Sequence, residues 1–330
     1  MTKLQTTVLI EPMEPKFGYP CGHIGSTAAV AAHNSIMFVG SCFAQEIGRR
    51  CQEHYLDTLV NPFGVLFNPC SIASCLGSLE GYSINPCGCS FVPSDVIETS
   101  AGFCSFYHHS SFARPSAQEF LDNANSNLAA ASEFYERKGW VVVTLGSAYV
   151  YTDKDSGIVV SNCHKLPQSR FERRRLSVDE CVQALGHYVG GNPQRQWIFT
   201  VSPVRHLADG LHDNQLSKST LLLAVSRIVE RFENAHYFPA YEIMMDELRD
   251  YRFYADDMLH PSQLAADIIF ERFMEWGFDA QQKTLLDEAA GLRSLMAHRP
   301  LNPDTAKAKE FLAERDRKLQ QFLAKTRPAL

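Results

Sequence analysis

No run of apolar residues in this chain approaches the roughly 20 that a membrane-spanning helix needs. The expectation is therefore a protein without a membrane span. Met1 to Pro20 mixes acids, a lysine and prolines and has no apolar signal-peptide core, so the chain reads as soluble and cytoplasmic. Positive charge is not in excess: 31 Lys and Arg face 37 Asp and Glu, for a net charge of −6 and a pI near 6.1, which gives no footing for nucleic acid. No Cys-x-x-Cys pair occurs among the 10 cysteines, and Cys87-Gly-Cys89 is too close for a zinc knuckle. Scattered through a large chain, these cysteines do not describe a disulfide framework. Repeats of longer period and low-complexity segments are also absent. What remains is 330 residues, 45% hydrophobic, enough for one large α/β domain or two smaller ones.

The chain organises itself around residues 35–51. Ile36 to Val39 is an apolar run long enough for one buried strand, and Gly40 breaks it. Phe43, Ile47 and Cys51 then follow at four-residue spacing, one face of a helix. Further apolar runs lie at Leu56–Val60, Trp140–Leu145, Trp197–Val201 and Tyr237–Ile243. Helical patterns fall near 71–79, 116–138, 177–188, 214–234 and 262–276. Five strands alternating with helices predict a parallel sheet covered on both faces, an α/β/α arrangement. Residues 81–115, with His108-His109 in the middle, read as an insertion of loops and short strands, a lid or pocket wall. Tyr149–Tyr151 and Ile158–Val160 read as a β-hairpin leaving the main sheet, and Arg173 to Arg175 as a solvated face. From about 281 the chain is helical and charged, with a helix start at Asn302-Pro303-Asp304. We read a domain over 1–280 and a helical tail over 281–330, which covers the core or joins a second copy.

In open α/β sheets, ligands sit in the crevice beyond the carboxyl ends of the strands. Ser41 occupies such a position, on the turn between a strand and a helix. One reading makes it an N-cap for the helix; the other makes it a nucleophile. Cys42 is a rival nucleophile on the same turn. Asp257 and His260, three residues apart, supply what a serine needs: a carboxylate within reach of Nδ1 and an Nε2 free to face the crevice. The plain alternative is a helix cap beside a surface histidine.

The pentapeptide Gly40-Ser41-Cys42-Phe43-Ala44 resembles the signature of the GSCFA-domain family. The resemblance continues through Asn61-Pro-Phe-Gly64, Thr144-Leu-Gly146, Asn162-Cys-His-Lys165, Phe199 to His206 with Asp209-Gly210, Ser217-Lys218, and Tyr237-Phe-Pro to His260-Pro261. That family is in turn similar, more distantly, to the SGNH or GDSL-type hydrolases, which are flavodoxin-like three-layer α/β/α enzymes acting on esters. The resemblance implies Ser41 as nucleophile, His260 as base and acid, and Asp257 as its orienter. It implies an oxyanion hole from the N–H groups of Ser41 and Gly64. An SGNH enzyme also carries Asn in a Gly-x-Asn block, where this chain has Gly146-Ser147-Ala148; Ser147 or Asn162 would have to substitute.

Asn61, His164, Lys165, Arg205 and His206 are the candidates for substrate contacts, and His206 is a rival base. The expected activity is ester hydrolysis through an acyl-serine, on a small-molecule or glycan ester. No metal or other cofactor is required. O-acyl transfer from the same site, and non-catalytic binding of a small molecule or glycan, are the alternatives.

Overall fold

The computed structural model describes residues 30–31, 33–81, 90–278 and 280–326. The chain's lead-in and the Cys87-Gly-Cys89 segment lie outside the described residues. In chain order the elements are β1 (Ile36–Gly40), α1 (Cys42–Glu53), β2 (Thr58–Val60), α2 (Pro69–Leu79), β3 (Ile97–Thr99), β4 (Gly102–Cys104), α3 (Ala117–Glu136) and β5 (Trp140–Leu145). There follow β6 (Tyr149–Asp153), β7 (Val159–Val160), β8 (Phe171–Arg175), α4 (Val178–Gly191), β9 (Gln196–Val201) and α5 (Leu211–Arg231). The last are β10 (Ala235–Tyr237), the short α6 (Ala240–Glu242), α7 (Gln263–Gly277), α8 (Ala280–Ala297) and α9 (Ala306–Thr326). No helix among the described residues is long and apolar enough to cross a membrane.

The central sheet runs β10-β9-β5-β1-β2, and every pairing in it is parallel. Counting only its own strands, the order is the flavodoxin-like 2-1-3-4-5. Alternation along the buried strands divides the core. Met37, Val39, Val141, Val143, Trp197 and Phe199 face α2, α3, α4 and α5. Ile36, Phe38, Val142 and Ile198 face α1 and α7, where Phe43, Ile47 and Cys51 pack with Ile269 and Phe273. These are the three layers the sequence predicts, and the apolar face foreseen for the first helix is the one buried.

Ser41, Asn68, Ser116, Ser177 and Ser262 each accept a backbone N–H at a helix start. At 177 the cap is reciprocal, with Glu180 closing a capping box. Gly40 is dictated by crowding. Its φ is +151°, and a Cβ there would stand 2.2 Å from the Thr144 carbonyl oxygen on the neighbouring strand. Gly40→Ala should therefore push β1 and β5 apart and cost about 3 kcal/mol or more, read as a lowered urea midpoint.

Two expectations need correction and a third needs extending. The fifth strand is Ala235–Tyr237, not Tyr237–Ile243. Its three residues pair with Trp197–Phe199. Pro239 then ends the strand, and the apolar residues beyond it form α6 and a wide turn over Ile243–Glu247. Periodicity cannot distinguish such a short buried helical stretch from a strand.

The arginine run is a strand as well as a solvated face. β8 pairs antiparallel with β6, making a three-stranded excursion with β7, and the Arg173 guanidinium lies 3.7 Å over the Tyr149 ring. The last helix begins at Ala306, where Thr305 accepts the Ala308 N–H, rather than at Asn302-Pro303-Asp304. The tail folds back onto the end of α1. Phe322 is buried with its ring centroid 6.0 Å from that of Tyr55, and Arg293 pairs with Glu53 at 3.1 Å.

Candidate active site

Two of the strands that carry candidate residues are adjacent. β1 delivers Ser41 and β5 delivers Gly146, at the point where the strand order of the sheet reverses. A Cβ added to Gly146 would lie 3.4 Å from that of Ser41. Ser41 is 3% exposed. Its Oγ accepts the Phe43 N–H at 3.3 Å, so it does cap α1, and it makes no hydrogen bond to a histidine among the described residues. The Cys42 thiol is raised by burial, although the Phe43 and Cys42 N–H groups and the Lys218 charge pull the other way. A thiol kept protonated is a poor nucleophile, so the turn favours Ser41.

The Asp257–His260 pair forms as the spacing foresees. Asp257 Oδ2 accepts from His260 Nδ1 at 2.6 Å, and Oδ1 accepts the N–H groups of Leu259 and His260 at 2.9 and 3.0 Å. Those N–H groups, then the ring, pull the Asp257 carboxyl down to about 2. The His260 side chain is 47% exposed. The Leu259 carbonyl accepts the Arg205 N–H at 3.2 Å, which fastens this turn to the segment leaving β9.

His206 stands beside that turn. Its Nε2 is buried without a partner, and its ring centroid is 6.0 Å from that of Phe67. Burial first, then the charges of Lys218 and His260, push its imidazole down to about 4, so it is neutral near pH 7.

The oxyanion donors named from the sequence are largely committed elsewhere. The Ser41 N–H donates to Thr144 O at 3.1 Å, the Gly64 N–H to Asn61 O at 2.8 Å, and the Ser147 N–H to Phe67 O at 3.0 Å. Ser147 Oγ meets Ser217 Oγ at 3.3 Å and accepts the Tyr149 N–H at 3.0 Å. Asn162 sits on the β6–β8 excursion, where its Oδ1 accepts the His164 N–H. The cause is tertiary. The chain from Gly64 to Asn68 crosses the ends of β1 and β5, with Leu66 N–H on Gly40 O, and takes up the hydrogen bonds there.

Asn61 is the residue whose role changes. Its Oδ1 accepts the Gly40 N–H at 2.9 Å, which fixes the amide beside the Ser41 turn. Its Nδ2 is buried and unpartnered. Buried polar groups are nearly always satisfied, so an orphaned donor next to the candidate nucleophile is a candidate oxyanion donor.

His164 is not brought to this crevice. Nε2 donates to Ser105 O at 2.9 Å and Nδ1 accepts from Ser110 Oγ at 3.2 Å, tying the excursion to the 105–112 loop, while Lys165 is exposed. That loop packs His109 against Gly64. His108 is buried among Phe63, Phe91, Phe112 and Phe120.

One group at the site received no role from the sequence: Lys218, on α5, which is 0% exposed. Its Nζ donates to Gly146 O at 2.7 Å and to Ser202 O at 2.6 Å, bridging the ends of β5 and β9. Burial pushes its ammonium down to about 7, a shift that the Cys42 sulfur opposes. Among the described residues, no group of three or more His, Cys, Asp or Glu could hold a metal ion.

No curated protein and no solved structure matches the chain. A family model, that of the GSCFA family, matches residues 35–273, which contain the central sheet, the Ser41 turn and the Asp257–His260 pair. The chain belongs to the GSCFA family.

Proposed function

We propose that this protein is a serine-dependent ester hydrolase acting through an acyl-Ser41 intermediate. The observation that carries the reading is the 2.6 Å contact from Asp257 to His260 Nδ1, on a turn that the Arg205 N–H fastens to the carboxyl end of β9, the end of the parallel sheet that also carries Ser41. With Nδ1–H held by a carboxylate, Nε2 keeps its lone pair, the tautomer a general base requires. His260 takes the hydroxyl proton as Ser41 Oγ attacks the ester carbonyl. The Asn61 amide donates to the oxyanion. The tetrahedral species collapses, the leaving alkoxide takes the proton from His260, and water then repeats the sequence to release the acid. The cap bond uses Ser41 Oγ as acceptor, so its O–H remains available to donate to His260 Nε2, a bond that forms as substrate binds. The order of the sequence blocks, similar to that of SGNH hydrolases, supports the same roles. O-acyl transfer follows from the same acyl-enzyme when an acceptor hydroxyl replaces water, and acceptor-dependent product would identify it.

A second reading, a binding protein without catalysis, is favoured by the burial of Ser41 and by the three committed backbone donors. A fluorophosphonate probe separates the two. Hydrolysis predicts covalent labelling at Ser41, slowed about 10³–10⁴-fold in Asp257→Asn, where the imidazole loses its orienting acceptor. An unlabelled Ser41 in folded protein, with no turnover of activated short-chain esters, leaves the binding reading.

A further inference from the structure

Arg205 leaves β9 beside the Asp257–His260 turn and lines a cavity of about 360 Å³ with Met245, Arg249, Tyr251, Tyr254 and Met258. Its guanidinium is poorly matched. It donates to Tyr254 Oη at a long 3.4 Å and to Met245 Sδ, a weak acceptor, at 3.5 Å, and lies 5.6 Å from the Tyr254 ring centroid. Among the described residues no carboxylate comes within ion-pair distance of it, whereas Arg50, Arg137, Arg170 and Arg272 each have one. Arg249 adds a second cation, paired with Asp246 only at 3.5 Å in an exposed contact. The one carboxylate in the lining, Asp250, is already taken by the Arg252 N–H at 3.0 Å and guanidinium at 3.2 Å. The uncompensated charge of the cavity is therefore positive. Its walls are aromatic and thioether, and two large side chains stand open at the rim, Tyr251 at 80% exposure and Met258 at 44%.

We propose that this cavity is a substrate subsite for an anionic oxyacid group, a carboxylate or a phosphate, carried on an aromatic or otherwise apolar body. The planar guanidinium presents paired N–H donors that match two oxygens of such a group, and a half-buried cation gains more from that match than a solvated one. The rings and the methionine sulfurs suit the apolar part. The substrate is then an acid-bearing ester; the ester rests on the reading above, and the anion does not.

Binding tests the anion without any chemistry. Benzoate and phenyl phosphate are titrated into the whole protein by calorimetry, with neutral benzamide as the control. At least one anion should bind in about the millimolar range or tighter, and benzamide should not. Arg205→Gln should weaken the anion about ten- to a hundredfold, the worth of a charge-assisted pair. Tyr251→Glu, at the exposed rim, should weaken it about threefold or more with an unchanged melting temperature, so the result does not depend on Arg205→Gln folding normally. The tighter of the two anions identifies the oxyacid.

Turnover is the second readout. The ratio of kcat/KM for 4-acetoxybenzoate over phenyl acetate should exceed about ten and fall at least tenfold in Arg205→Gln. Benzamide binding as well as benzoate, or anion affinity indifferent to both substitutions, overturns the proposal. Hydrolysis of both esters without preference removes the subsite and keeps the esterase. Arg205-dependent anion binding with no turnover of any ester keeps the subsite and removes the esterase.

Discussion

Ser41→Ala should lower kcat on an activated short-chain ester by about 10⁴–10⁶-fold while KM moves only a few-fold. In the proposed mechanism Ser41, His260 and Asp257 act as a unit, and that sets the size of the loss. Without the hydroxyl there is no acyl-enzyme, and the Asp257–His260 pair has no proton to take; what survives is oxyanion stabilisation and binding. The variant should fold. Its cost is the cap bond to the Phe43 N–H, about 1 kcal/mol, which a urea titration would register as a small shift. Cys42→Ala is the control on the same turn. The Cys42 thiol is held protonated by burial, so its loss should change turnover about threefold at most. Equal turnover by wild type and Ser41→Ala would remove Ser41 from the chemistry. A collapse confined to Cys42→Ala would transfer the nucleophile to sulfur.

The parts of this molecule that can be read without coordinates are those set by local pattern. Ile36–Val39 followed by Gly40 and the Phe43–Ile47–Cys51 stripe announces strand, turn and helix, because burial periodicity is written into consecutive residues. The Asp257–His260 contact is legible for the same reason, since three-residue spacing fixes the reach. Tyr237–Ile243 misleads because a short, largely buried helical turn and a central strand carry the same apolar string. The oxyanion donors were illegible for a different reason. Whether the Ser41 or Gly64 N–H is free depends on where Thr144 O and the 64–68 crossing come to lie, which no short segment encodes. Asn61 is intermediate: its place after β2 is visible, but its orphaned Nδ2 appears only once Oδ1 is seen on Gly40. Lys218 could have been found. Asn214, Leu221 and Val225 stand four before, three after and seven after it, so the lysine occupies the inward stripe of an amphipathic helix, where a charge needs a reason.

Lys218→Met should therefore have the second large effect, and its signature is in how the loss varies with pH. The Gly146 and Ser202 carbonyls would lose their donor, at about 1–3 kcal/mol each, partly offset by relief of the buried ammonium's desolvation. The net expectation is a variant destabilised by about 1–3 kcal/mol near pH 7.5, with kcat reduced because the ends of β5 and β9, on one side of Ser41, lose their bridge.

The ammonium is pushed down to about 7 in the folded protein and titrates near 10.5 when unfolded. Between those values the unfolded chain binds one proton that the folded one does not, so this group makes stability rise with pH, by at most about 1.4 kcal/mol per unit. A neutral amine still donates two N–H groups, one to each carbonyl, so the bridge outlasts the charge. Tyrosines and cysteines remote from Lys218 contribute alike to both proteins and cancel in the difference; Cys42, which the Lys218 charge pulls down, does not, and pairing the comparison with a Cys42→Ala background removes it. The stability gap between wild type and Lys218→Met, from urea midpoints, should accordingly widen from pH 7.5 to 9.5. A gap that stays constant or narrows would mean that Lys218 remains charged in the folded core.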